Sequence, residues 1–279
     1  MAQGRDAAWR RGARGGTGRV TLWQGLILGL VQGLTEFLPV SSSGHLRVLE
    51  VVTGVHTPGV FVEVTLHVAT LGSVLVVYGR RLWSIVRGVV ARRPEDLRIA
   101  GLLALATLPA GVIGVVFHRQ VEAAASLVLV GVGFLLTGFM NWSTRRFAGD
   151  RPQPTVGAAV GIGFAQALAA VFRGVSRSGS TVCAALWSGL GPAAAAEFSF
   201  LLAIPVIAGA ALVEGRHMAV NVAVVGAVPL AVSFALAFAS GIWSIRFLVA
   251  LLQRGRFYAF APYNWVVGVL TIVYALWRG

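Results

Sequence analysis

The chain has 279 residues, of which 57% are hydrophobic and only 12% charged, with a mean hydropathy of +0.79. That balance excludes an ordinary soluble domain and specifies a polytopic membrane protein. The net charge of +13 does not point to nucleic acid, because the arginines sit in a tail and between apolar runs with no soluble basic domain to present them.

The chain opens on Arg5, Arg10, Arg11, Arg14 and Arg19. Residues 1–20 read as a basic, disordered tail rather than a cleaved targeting peptide, since the apolar run that follows carries Gln32 and Glu36 and lacks a small-residue cleavage pattern. Residues 21–279 form a single integral membrane domain. Apolar runs of about 20 residues, enough to cross a bilayer, extend from Thr21 to Val40, Val60 to Tyr78, Ile99 to Phe117, Ala123 to Trp142, Thr155 to Phe172, Ala194 to Val213, Ala219 to Ile242 and Tyr258 to Trp277. Shorter apolar pieces run from Leu46 to Val55, Thr181 to Leu190 and Ile245 to Leu252. Cys183 is the one cysteine; lying in an apolar piece, it reads as a small buried hydrophobe, and no intrachain disulfide is available.

Two polar strings interrupt this pattern, Ser41-Ser42-Ser43-Gly44-His45 and Ser176-Arg177-Ser178-Gly179. Pro39 and the Ser/Gly run after it break the first helix, and the piece that follows is too short to span. A helix that enters, turns at residues 39–44 and returns accounts for both features, provided that protein or water satisfies the turn. The second string repeats this layout. Gln32-Gly33-Leu34 aligns with Gln166-Ala167-Leu168, and Ser41 to Gly44 with Ser176 to Gly179, with one extra residue in the second copy. The predicted fold is all-α: a re-entrant helical hairpin followed by three transmembrane helices, duplicated over about 21–145 and 152–279. Three spans between the hairpins is an odd number, so the second copy is inverted and the site falls near the midplane, with Glu36, Ser42 and His45 facing Arg177.

Arginines in short loops set the orientation. Arg80, Arg81, Arg87, Arg92, Arg93 and Arg98, then Arg145, Arg146 and Arg151, then Arg246, Arg254 and Arg256, fall on one side, taken as cytoplasmic, against Arg119 and Arg216 on the other. The first hairpin then opens to the extracytoplasmic side, and so does the basic tail, counter to the same rule. Trp23, Trp83, Trp142, Trp243, Trp265 and Trp277 fall mostly near span ends, as an aromatic belt does. His56, His118 and His217 read as interfacial histidines, and Glu63 with His67, one helical turn apart, as supporting or loop residues.

Hydroxyls, imidazole and guanidinium are expensive in lipid and are retained mostly for function. Arg177, flanked by Ser176, Ser178 and Gly179 in a helix break, offers a bidentate fork and nearby backbone N–H groups for phosphate, with Ser41 and Ser43 on the facing string. Glu36 and Gln32 share one helix face and supply oxygen donors for Mg²⁺ or Ca²⁺. Ser42 or His45 is the nucleophile, or His45 the base for a serine. The plainer alternative has the serines satisfying broken backbone, a single Arg–Glu pair acting as glue, and Gln32 and Gln166 bonding helix to helix.

The run Gln32-Gly33-Leu34-Thr35-Glu36-Phe37-Leu38-Pro39-Val40-Ser41-Ser42-Ser43-Gly44-His45-Leu46 closely resembles the first motif of the bacitracin-resistance family of undecaprenyl-diphosphatases, and Gly174-Val175-Ser176-Arg177-Ser178-Gly179 resembles the second. Leu66-His67 with Thr70, Thr107 with Pro109-Ala110, Gln166 to Ala169 and Glu197 to Leu202 ahead of Pro205 extend the similarity over nearly everything after the tail. The resemblance implies a bacterial inner-membrane hydrolase that converts undecaprenyl diphosphate to the monophosphate carrier of peptidoglycan synthesis, in a family tied to cell shape and bacitracin resistance. It implies a divalent cation at Glu36 and Gln32, Ser42 as nucleophile, His45 as alternative nucleophile or base, and Arg177 as phosphate clamp. Two positions depart from the family pattern: Arg173-Gly174 stands for Pro-Gly, and Tyr263-Asn264 for Tyr-Arg. Arg173 is a candidate to bind a second phosphate oxygen or to pair with Glu197. A lipid-carrier or ion-coupled transporter is the competing reading, since inverted repeats with broken helices also build transporters. A polyprenyl diphosphate and membrane lipids are the expected partners; a homodimer is left open.

Overall fold

The computed structural model describes residues 20–53, 61–116, 126–147, 149–214 and 226–278. The basic tail, His56, His118, Arg119, Arg216 and His217 lie outside them. Ten α-helices occur among the described residues: α1 (Leu22–Phe37), α2 (Ser42–Thr53), α3 (Phe61–Val90), α4 (Pro94–Val116), α5 (Leu127–Ser143), α6 (Val156–Val171), α7 (Arg177–Trp187), α8 (Pro192–Glu214), α9 (Ala227–Gln253) and α10 (Ala261–Arg278). Six stretches are long and apolar enough to cross a membrane: they lie in α3, α4, α8 and α9, in α5 with the turn that continues it to Arg146, and in α10 with the turn that precedes it from Phe257. At 1.5 Å per residue, the 16 residues of α1 and of α6 reach about 24 Å and fall short of a core about 30 Å thick. The order short, short, long, long, long therefore occurs twice.

Local chemistry sets the starts. Thr21 accepts from the Gln24 amide while the Gln24 side chain returns to the Thr21 N–H, a reciprocal cap on α1. Thr155 and Ser176 cap α6 and α7 through their hydroxyls. α1 ends where Pro39 and a left-handed Ser41, φ 65°, turn the chain into α2.

Two sequence boundaries are corrected. α3 continues through Arg80 and Arg81 to Val90, because arginine is a good helix former and the chain meets no breaker until the turn at Arg92 and Pro94. α9 joins the predicted span to Ile242 with the piece from Ile245 to Leu252; Trp243 and Ser244 offer nothing to interrupt it.

The hairpins enter from opposite ends of the bundle. α1 lies along α9, with Ser233 Oγ donating to the Gly25 carbonyl at 2.9 Å, and Arg278 of α10 donates to the Val51 carbonyl near the end of α2 at 2.8 Å. At the other end, Arg98 reaches the Pro154 carbonyl ahead of α6, Arg151 reaches the Ser188 carbonyl after α7, and Arg81 pairs with Glu197 at 2.8 Å. Gly25, Gly29 and Gly33 line the α1 face against α9. A Cβ built on Gly25 lies 2.7 Å from the Pro229 carbonyl oxygen, and one on Gly29 lies 2.8 Å from the Ser233 Cα, so only glycine permits this approach. The largest apolar cluster joins Phe37, Val182, Phe198, Phe200, Leu201, Ile245 and Leu248, locking both hairpins between α3, α8 and α9.

Candidate active site

The two helix breaks meet in the interior. Pro39, inside the first turn, leaves its carbonyl oxygen without a helical donor, and two buried amides converge on it: Asn141 Nδ2 from α5 at 2.8 Å and Asn264 Nδ2 from α10 at 2.9 Å. Ser178 Oγ donates to the Leu38 carbonyl at 3.2 Å, and Ser41 Oγ lies 3.5 Å from the Val175 carbonyl. Thr137 of α5 accepts from the Ser176 N–H at 3.0 Å and donates to the Gly174 carbonyl at 3.3 Å. These bonds answer the requirement that broken backbone at membrane depth be satisfied by protein. Gly174 holds φ +96°, and its backbone packs on Val130, which excludes a side chain there on two counts.

Glu36 sits at the end of α1 and is buried. Four side chains surround its carboxylate, one from α1 itself and three from other helices. Gln32 Nε2, one turn earlier, donates to Oε2 at 2.9 Å; Ser42 Oγ, the first residue of α2, donates to the same oxygen at 2.6 Å. Arg177, the first residue of α7, pairs through Nη2 with Oε1. His67 of α3 brings Nε2 to 3.4 Å from Oε2, its Nδ1 being bonded to the Glu63 carbonyl at 2.7 Å. A carbonyl only accepts, so Nδ1 carries a proton and the ring is held with Nε2 toward the carboxylate. One turn earlier on α3, the Glu63 carboxylate lies 3.7 Å from Arg173 Nη2.

The structure thus brings together Glu36, Gln32, Ser42 and Arg177, and adds His67, whose part the sequence understated. His45 does not join them. Its Nδ1 donates to the Ser41 carbonyl at 2.8 Å, its Nε2 meets the Tyr263 hydroxyl at 2.7 Å, and its ring stacks on Tyr263 and stands edge-on to Phe134. The alternative with His45 as base for a serine has no His45–Ser42 contact behind it; Ser42 pairs with Glu36. The serines assigned to phosphate are largely occupied: Ser176 Oγ accepts from the Gly179 N–H at 3.0 Å, Ser178 holds Leu38, and Ser41 Oγ accepts from the Gly44 N–H at 3.3 Å, while Ser43 is half-buried. Here the plainer reading, hydroxyls satisfying a turn, describes the geometry. Arg173 pairs with Glu63 rather than with Glu197, which belongs to Arg81. Gln166 is buried with neither amide atom hydrogen-bonded among the described residues, so the expected helix-to-helix bond is absent there. Asn141, Thr137 and Tyr263 were missed; Asn141, a buried amide in an apolar run, was the legible signal among them.

For a divalent cation the fit rests on Gln32, whose Oε1 is buried and without a partner while its Nε2 holds Glu36. An amide oxygen beside a carboxylate suits a hard cation. No cluster of three or more His, Cys, Asp or Glu side chains suited to a metal occurs among the described residues, so further ligands would come from phosphate or water.

Fold and site together define a class: an all-α, multi-pass membrane protein with a polar centre of hydroxyl, carboxylate and guanidinium where two broken helical hairpins meet. Residues 25–270 match the family described as Bacitracin resistance protein BacA, and the chain belongs to that family. Relatives named undecaprenyl-diphosphatase include one from Desulfosudis oleivorans, 39% identical over 92% of this chain and 98% of its own. Others are from Desulfatibacillum aliphaticivorans, 36% identical over 89% and 96%, and Bacteroides fragilis, 38% identical over 90% and 97%.

Proposed function

We propose that this protein hydrolyses undecaprenyl diphosphate to undecaprenyl phosphate and phosphate in the bacterial inner membrane, returning the carrier lipid to cell-wall synthesis. The observation that carries the reading is the Ser42 hydroxyl donating to Glu36 Oε2 at 2.6 Å while Arg177 holds the other carboxylate oxygen. A hydroxyl against a carboxylate is a nucleophile beside its base, an arrangement that moving a phosphate unchanged would not require, which favours hydrolysis over transport. Glu36 takes the Ser42 proton as Oγ bonds to the terminal phosphorus. The bridging P–O bond breaks, its electron pair leaving on the lipid monophosphate. Water then releases phosphate from the serine. Arg177, freed from Glu36 by the incoming anion, faces the non-bridging oxygens, where charge must be held during transfer. A divalent cation at Glu36 and Gln32 would neutralise phosphate charge. His45, with both nitrogens engaged, fixes the Ser41 turn that presents Ser42.

The opposite entry of the two hairpins and the twice-repeated order of helix lengths support an inverted duplication, with the first hairpin and the site opening to the extracytoplasmic side. Purified protein in detergent, given polyprenyl diphosphate with Mg²⁺ or Ca²⁺, is expected to release phosphate. Ser42→Ala, Glu36→Gln and Arg177→Ala should each lower kcat by about 10²-fold or more. Equal release by wild type and Ser42→Ala would remove the serine from the mechanism.

A further inference from the structure

We propose that Arg173 reads the second phosphate of the substrate, the one that stays on the lipid, while Arg177 faces the phosphate that leaves. The inference rests on the diphosphatase reading above and assigns a residue within it. Glu63 and His67 stand one helical turn apart on α3, with Glu63 nearer the end of the bundle at which α1 begins. His67 lies at Glu36 and therefore beside Arg177; Glu63 lies beside Arg173. The two guanidinium groups are thus anchored at levels about 6 Å apart along α3, with Arg173 the outer one. A lipid diphosphate entering from that end, its terminal phosphate at Ser42, carries its inner phosphate to the level of Arg173.

Arg173 is also free to bind. Among the described residues its guanidinium meets Glu63 at 3.7 Å, charge attraction without a hydrogen bond, and the side chain is a quarter exposed. A guanidinium in that state keeps its forked donors for a phosphate. Charge agrees: Glu36 and Glu63 balance Arg173 and Arg177, so a divalent cation leaves the centre two charges positive, matched to a diphosphate rather than a neutral headgroup.

The test uses the full-length protein in detergent and two readouts, turnover of polyprenyl diphosphate and calorimetric binding of inorganic diphosphate and inorganic phosphate in Mg²⁺. Arg173→Gln is expected to raise KM about tenfold and weaken inorganic diphosphate binding about tenfold, with kcat within about twofold and phosphate binding unchanged. Arg173→Lys should recover part of the affinity. Glu63→Gln, which removes the competing carboxylate but keeps the backbone carbonyl that holds His67, is expected to tighten diphosphate binding several-fold, whereas a merely structural ion pair would make both variants weaker. Unchanged diphosphate binding in Arg173→Gln, or a fall in kcat at constant KM, overturns the proposal. Binding that depends on Arg173 in a protein that hydrolyses no polyprenyl diphosphate would sink the proposed function and leave the diphosphate site standing.

Discussion

At the scale of single residues, the instructive contrast is between Ser42 and His45. The sequence offers them as equals three positions apart, and the first turn of α2 aims them differently: Ser42 faces Glu36, while His45 turns toward Ser41 and Tyr263. In the proposed mechanism His45 has a positioning role, and of its two hydrogen bonds the one to the Ser41 carbonyl holds the left-handed turn. Asparagine carries an amide N–H at a position close to that of Nδ1, so His45→Asn should keep phosphate release within about tenfold of wild type, the worth of one hydrogen bond. His45→Ala should lose more. Steady-state kcat for the two variants checks this, and equal, complete loss in both would return His45 to the chemistry. Gln32 and Glu36 were legible because i and i+4 share a helix face; the place of His67 at Glu36 was not, since nothing in the sequence says that α3 lies against α1.

Among the elements, the hairpins were readable because Pro, Ser and Gly announce a break and the pieces behind them are too short to span. Their partners were less so. Gly25, Gly29 and Gly33, spaced four apart on one face of α1, escaped the sequence reading; in the structure they seat on α9, where the facing residues are Pro229, Ser233 and Ala237. This seat fixes α1, and α1 ends in Glu36. Gly29→Val would force the helices apart at a backbone-to-backbone contact, a loss of about 1–3 kcal/mol by overpacking. A lower thermal midpoint in detergent with reduced kcat is expected, whereas Gly161→Ala on α6, with open space around its Cβ position, should alter neither. An unchanged midpoint in Gly29→Val would show that the stripe does not seat α1. The ends of α3 and α9 escaped the sequence for a different reason: hydropathy marks where lipid stops, not where a helix stops, and neither arginine nor tryptophan terminates one.

For the whole molecule, the sequence carried the order of elements and the meeting of the two polar strings, but sidedness depends on charges at the two ends. Arg81, Arg98 and Arg151 are tied to Glu197, Pro154 and Ser188 at the end where α3 finishes and α8 begins. The first hairpin opens at the opposite end, beside the start of α9 and the close of α10. The proposed orientation puts the former on the cytoplasmic side, on the strength of its arginine excess. Cys183 is buried and is the one cysteine of the chain, so a surface cysteine can be read without removing it. Val52, near the end of α2, and Val90, at the end of α3, are exposed at the two ends. In intact cells, a membrane-impermeant maleimide should label Val52→Cys and leave Val90→Cys unlabelled until the cells are permeabilised. The reverse pattern would turn the start of the first hairpin, and with it the proposed site, toward the cytoplasm, and the proposed hydrolysis would then take place on that face.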